Sequence, residues 1–312
     1  MTIVFMGTAE LSCASLERLA RDSRFRIAAV VTQPDKPKGR DLKLQPSPVK
    51  LLAQKFNLPV LQPLKAREEK FIAELRESKP DLIVVVAYGQ ILTQAILDLP
   101  KFGCVNIHTS LLPKYRGASP IQSAILHGEA ETGVTLMKMD AGLDTGPILA
   151  QRSTPILAED NSQTLHDRLA ELGAELLVET ISDYAAGKIS PRAQPLDGVV
   201  YAPKIKKEDG QIDWNEPAEK ISNRLRAFTP WPGVFTTLKR EPKSTLLKIW
   251  KAEVVETTGS AGGILQAGGD GIVVGCGKNA LRVLELQLEG GRRMSAQEFL
   301  AGHPLKSGEK MG

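Results

Sequence analysis

No apolar run in the chain approaches the roughly 20 residues that a bilayer span requires, so no membrane partner is expected. Cysteine is scarce. Cys13, Cys104 and Cys276 are odd in number and far apart, which fits neither a disulfide framework nor a Cys-x-x-Cys metal site. They read as reduced, buried thiols of a cytoplasmic protein. Of His108, His127, His166 and His303 no two have metal-ligand spacing, so no metal is expected. His127 and His166 fall in helical surroundings and read as structural or solvent-facing. Aromatic content is low and glycine and proline are ordinary, which excludes a collagenous chain. No basic region with a cleavable apolar segment precedes the opening strand Thr2–Met6, so secretion is not expected. A dinucleotide fingerprint is also missing: the first turn holds Gly7 but not G-x-G-x-x-G, which disfavours a nicotinamide cofactor. Excess charge is small. The 40 Lys+Arg and 36 Asp+Glu leave +4, all of it C-terminal to a cut before Val200, which permits a phosphate-rich partner without requiring one.

What is present suggests about two domains in 312 residues. Strand, Gly7-Thr8-Ala9 turn, helix (12–21) and strand (26–32) begin a doubly wound, mostly parallel α/β sheet. The β-branched run from Asp81 to Ala87 suits a strand buried on both faces. Ligands in open α/β sheets bind outside such strand ends, so Tyr88 to Leu92 should face one crevice with His108. Between Gln33 and Lys50 the prolines argue against regular structure. Lys36, Lys38, Arg40 and Lys43 could there meet phosphates, although Asp35 and Asp41 cancel half the charge and base rates favour a solvated surface loop. A helix from about Ser162 to Ala186 carries Leu165, Leu169, Leu172, Leu176 and Ile181 on a 3.6-residue stripe. Residues 190–207 read as an aperiodic linker ending in Lys204, Lys206 and Lys207. Short alternating runs with Gly-rich turns then predict a small β-barrel of about five strands, and Ser295-Ala-Gln-Glu298 a capping box opening a last short helix.

The chemistry concentrates between Gly103 and Gly146. Strand periodicity places Asn106 and His108 on one face of Cys104–His108, with Ile107 turned into packing. A glycine-loosened loop can bring the Asp144 carboxylate toward them. Moving an acyl unit between nitrogens requires an oxyanion donor, which Asn106 can supply, and a proton shuttle, which His108 can supply. Asp144 would fix the tautomer of the ring. An Asn-x-His step alone is also compatible with a satisfied structural pair. The joint pattern is more specific: Asn106-Ile-His108-Thr-Ser110-Leu-Leu-Pro113-Lys-Tyr-Arg116-Gly117-Ala-Ser-Pro120-Ile-Gln122, with Gly133-Val-Thr and Met139-Asp-Ala-Gly-Leu-Asp144-Thr-Gly146, resembles the signature of folate-dependent formyltransferases. Further marks, among them Thr32-Gln-Pro-Asp35, Val86-Ala-Tyr-Gly89, Ile212-Asp-Trp214 and Arg226-Ala-Phe-Thr-Pro-Trp-Pro232, make the chain up to about Ala301 similar to family members that act on charged initiator transfer RNA.

That resemblance implies a Rossmann-like formyltransferase domain over 1–189, a linker over 190–207, and an OB-like, tRNA-binding barrel over 208–312. It implies Asn106, His108 and Asp144 as catalytic residues. Ser110, Leu111, Leu112 and Pro113 with Gln90, Ile91, Leu92 and Asp140 would border the 10-formyltetrahydrofolate pocket. The loop around Arg40 and the lysines 204, 206 and 207 would meet the tRNA, and the enzyme would be a monomer. Thr109 departs from an expected glycine, which bears on the local turn alone. Competing readings are formylation of a nucleotide amine or amino sugar, hydrolysis of the donor, and a nonenzymatic RNA-binding protein.

Overall fold

The computed structural model describes residues 1–38, 43–240 and 243–312. The chain divides into two compact units: residues 1–120, 131–155 and 166–202 form the first, and residues 121–130, 156–165 and 203–312 the second. Residues 190–202 of the expected linker therefore belong to the first unit.

In chain order the first part comprises β1 (Thr2–Gly7), α1 (Leu11–Arg21), β2 (Arg26–Val31), β3 (Lys36–Lys38), β4 (Lys43–Gln45), α2 (Pro48–Lys55), β5 (Val60–Leu61), α3 (Glu69–Glu77), β6 (Leu82–Val86), α4 (Gln94–Leu97) and β7 (Cys104–His108). There follow β8 (Arg116–Gly117), α5 (Pro120–Leu126), β9 (Glu131–Lys138), β10 (Ile148–Pro155), α6 (Ser162–Ala185) and β11 (Tyr201–Ala202). The main sheet runs β10-β9-β7-β6-β1-β2-β5. Its β7-β6-β1-β2-β5 part is parallel, and β9 and β10 add antiparallel strands beyond β7. Every residue of β6 is buried, as an apolar strand covered on both faces must be. Val85 of β6 pairs with Asn106 of β7, which puts the segment after β6 beside the end of β7. The stripe of α6 is buried except at Leu172, which is partly exposed.

The sequence expectation of no regular structure in 34–48 needs correction. Strands β3 and β4 pair antiparallel, with Pro37 opposite Leu44. A two-stranded edge ribbon tolerates proline where the missing N–H would face outward. Arg40 lies outside the described residues, as do the side chains of Lys38 and Lys43. The aperiodic 190–207 stretch is not loose either. Arg192 exchanges backbone hydrogen bonds with Ile148, and β11 pairs in parallel with β8.

The second unit contains α7 (Ala218–Ala227), β12 (Val234–Arg240), β13 (Lys243–Val255), β14 (Ile264–Gly268), β15 (Gly271–Gly275), β16 (Ala280–Leu288), β17 (Arg293–Ser295) and α8 (Ala296–Gly302). Its antiparallel sheet runs β12-β13-β16-β15-β14, with β17 added on β16 as a further short strand. The predicted capping box is present: Ser295 accepts from the Glu298 amide, and the Glu298 carboxylate accepts from the Ser295 amide. The two edges of this path are joined by residues that sequence patterning left without a role. Met311 bridges Leu238 on β12 while Lys310 bridges Gly263 beside β14, closing the sheet. Closure removes two open edges and their unpaired backbone groups. Met311 is itself buried, so Met311→Ala should cost about 2–5 kcal/mol of stability, measured by denaturant unfolding.

Candidate active site

Three groups stand at the C-terminal end of β7 because the strand delivers two of them and a strained loop the third. Asn106 is half-buried, and its side chain makes no hydrogen bond to any described residue, which leaves its amide free to donate to a ligand. His108 is buried, with Nε2 2.8 Å from the Tyr115 carbonyl oxygen. A carbonyl can only accept, so this contact assigns the proton to Nε2 and turns Nδ1 toward Asp144. Nδ1 lies 3.7 Å from Asp144 Oδ2. The backbone carbonyl of Tyr115, rather than Asp144 as the sequence suggested, therefore sets the tautomer. Asp144 faces the free edge of the ring.

Asp144 holds a positive φ of 52°, which is costly for a residue with a Cβ and is sustained by its surroundings. The Gly117 amide donates to Asp144 Oδ2 at 2.8 Å. Tyr115, with φ 60°, lies in the same turn, so the turn that fixes the His108 ring also fixes the carboxylate. Gly146 has a geometric reason to lack a side chain: a Cβ there would stand 1.8 Å from the Lys138 carbonyl oxygen on β9. Asp140 is committed to the loop itself. Its Oδ1 accepts from the Gly142 amide and the Thr145 hydroxyl.

The segments expected to border a folate are built around the same strand ends. Ser110 is buried and donates to the Lys114 carbonyl at 2.6 Å, closing the 110–114 turn. Leu112 is buried, its amide donating to Thr135 Oγ1, and Gln151 donates to both the Leu112 carbonyl and Thr135 Oγ1. Leu111 and Pro113 are partly exposed. Across the strand ends, the Tyr88 carbonyl accepts from Thr8 Oγ1 and Gln33 Nε2, and Gln90 Oε1 accepts from the Ala66 amide. Ile91 is 91% exposed beside buried Leu92. The backbone groups of Ile91 and Leu92 make no hydrogen bond to any described residue. An exposed apolar side chain next to unpaired backbone donors and acceptors suits a flat, polar-edged heterocycle.

Sequence reasoning quoted Gln33 and Thr135 within motifs without giving them a holding role, and it missed Gln151 and, above all, Gln194. Gln194 is buried and donates to the carbonyls of Asp144 and Gly146. No motif signalled it; only the co-occurrence of glutamines with otherwise unsupported loops could have. Lys36 is exposed and donates to Gln33, while Lys204, Lys206 and Lys207 are exposed. Burial pushes the thiol of Cys13 up to about 11 and that of Cys104 up to about 12, so both stay protonated near neutral pH. Among the described residues no group of three His, Cys, Asp or Glu could hold a metal ion, and no helix is long and apolar enough to cross a membrane.

Comparison with known proteins gives the same chemistry a family. Residues 1–181 match the formyl transferase family and residues 204–304 the formyl transferase C-terminal domain. The methionyl-tRNA formyltransferase of Geobacter metallireducens is 50% identical over 312 residues, covering 100% of this chain and 99% of that protein. The methionyl-tRNA formyltransferase of Caldanaerobacter subterraneus is 50% identical over 311 residues, covering 99% of each chain. The fold also recurs in WlaRD, a sugar 3N-formyl transferase whose structure was determined in the presence of dTDP and 5-N-formyl-THF. That structure has a TM-score of 0.66 and 20% identity, covering 91% of this chain and 96% of WlaRD. The chain is thus a formyl-transferring enzyme, and it belongs to the methionyl-tRNA formyltransferase family.

Proposed function

We propose that the chain transfers the formyl group of 10-formyltetrahydrofolate to the α-amino group of methionine on initiator tRNA, with Asn106, His108 and Asp144 as the reacting constellation. The observation that carries this reading is the free Asn106 amide on the strand face of His108, whose Nδ1 meets Asp144 at 3.7 Å. The donor supplies an activated formyl carbon bound to nitrogen. Asn106 donates to the formyl oxygen as the amine adds and negative charge develops there. The His108–Asp144 pair takes the proton released by the attacking amine and returns one to the departing nitrogen. The carbon–nitrogen bond to the donor then breaks, giving the N-formyl amine and tetrahydrofolate. No covalent enzyme intermediate is required, since the amine attacks directly.

Ile91, Leu92 and the 110–113 turn would receive the donor, while Lys36, Arg40 and the lysines 204, 206 and 207 would meet tRNA phosphates in a salt-sensitive step. The closed antiparallel barrel of the second unit is the proposed RNA-binding domain. The enzyme is read as a monomer. The test compares initiator and elongator methionyl-tRNA as formyl acceptors. The expected result is N-formylmethionine released from the initiator species alone; an initiator amine left free in the presence of bound donor would overturn the assignment. A sugar acceptor would instead place this enzyme with the amino-sugar readings.

A further inference from the structure

We infer that Gln194 is a positioning residue for the reaction: its carboxamide, oriented by Arg116, holds Asp144 in the conformation that faces His108. This deepens the reading above and rests on the proposed role of Asp144.

The backbone at Asp144 is in the left-handed region, which a residue with a side chain leaves unless something holds it. Gln194 supplies the hold. Its Nε2 donates at 2.8 Å to the Asp144 carbonyl and at 2.8 Å to the Gly146 carbonyl, fastening both ends of the turn to one rigid group. The direction of the amide is not ambiguous. Arg116, itself buried, donates from Nε at 3.1 Å and Nη2 at 2.6 Å to Gln194 Oε1, and a guanidinium can only donate. With Oε1 committed to Arg116, the NH₂ group must face the carbonyls. Arg116 also lies between Tyr115, whose carbonyl holds the His108 ring, and Gly117, whose amide holds the Asp144 carboxylate. A single buried amide therefore joins the backbone on both sides of the His108–Asp144 pair.

The segment carrying Gln194 is anchored to make this possible. Arg192 exchanges backbone hydrogen bonds with Ile148 on β10, and β11 pairs with β8. Gln194 is thus pinned on either side by strand-like contacts, although the stretch looks like a linker in sequence. A catalytic carboxylate displaced by about 1 Å can cost on the order of 100-fold in rate, so loss of this hold should appear in turnover more than in donor binding.

Gln194→Met keeps the length of the side chain and removes both donors; Gln194→Glu also removes them while leaving an acceptor for Arg116. Each is measured for kcat and for the KM of the formyl donor, in the wild-type and Asp144→Asn backgrounds, with circular dichroism confirming the fold. The expected result is a kcat about 10–100-fold lower and a donor KM within about twofold in the wild-type background, with no further drop in the Asp144→Asn background. A folded Gln194 variant with wild-type kcat would overturn the inference. So would the same fold-loss in both backgrounds, which would mean that Gln194 does not act through Asp144. If Asp144→Asn lowers kcat and the Gln194 variants do not, the inference alone fails; if Asp144→Asn keeps wild-type kcat, the proposed role of Asp144 fails with it.

Discussion

His108→Ala should lower formyl transfer by about 10²–10⁴-fold while leaving donor affinity within about twofold. The size follows from what the ring does. It sits at the end of β7, and its Nδ1 faces a carboxylate at 3.7 Å while Nε2 is bound to a backbone carbonyl. One ring edge is thus used for orientation, and the other is the one proposed to exchange protons. Neither water nor Asp144 alone reproduces that arrangement. The substitution also removes the hydrogen bond from His108 Nε2 to the Tyr115 carbonyl, which costs about 0.5–1.5 kcal/mol of stability. The rate must therefore be compared at equal folded fraction, and a single-turnover rate with donor binding measured separately does this. A loss that appears in donor affinity while the transfer step keeps its speed would remove His108 from the proton path.

Asn106→Ala should lower the transfer rate by about 10²–10³-fold, with little effect on the stability of the free enzyme. The asymmetry between the two effects is the informative part. Among the described residues the Asn106 side chain has no hydrogen-bond partner, so its removal breaks nothing within the fold. In the proposed role, what is lost is a donor to charge that exists only as the amine adds. Asn106→Asp is the sharper variant, because it keeps the shape and replaces the donor with an acceptor. It should be at least as slow as Asn106→Ala. Thermal unfolding and pre-steady-state transfer rates, measured on the same preparations, separate the two consequences. A marked loss of stability with an unchanged transfer step would make Asn106 structural.

Much of this was legible in the residues themselves. A near-continuous β-branched run is what a strand covered on both faces requires, and the structure buries all of β6. Alternation placed Asn106 and His108 together, and the glycines around Asp144 marked a loop free to approach them. The structure reports that approach as a close His108–Asp144 contact. Other features had no sequence signal. The tautomer of His108 depends on a backbone carbonyl, and every residue carries one. Gln194 reaches Asp144 from 50 positions away, inside a stretch whose lack of periodicity read as a linker. Proline in 34–48 suggested irregularity but does not forbid an edge ribbon. Residues 310–311 close the second sheet as isolated bridges, too short to leave an alternating pattern. In each case the missing information is tertiary: which distant group supplies the partner for a backbone donor or acceptor.

His108 and Asp144 are proposed to act as one acid–base unit in formyl transfer, with Asn106 stabilising the charge that develops. The most direct measurement is the single-turnover rate of formyl transfer to methionyl initiator tRNA in His108→Ala, in Asp144→Asn and in the double variant. Groups that act as a unit are strongly non-additive. The double variant should therefore be no slower than the slower single variant. Rate losses that multiply in the double variant would show that the two side chains contribute independently and do not form one acid–base unit.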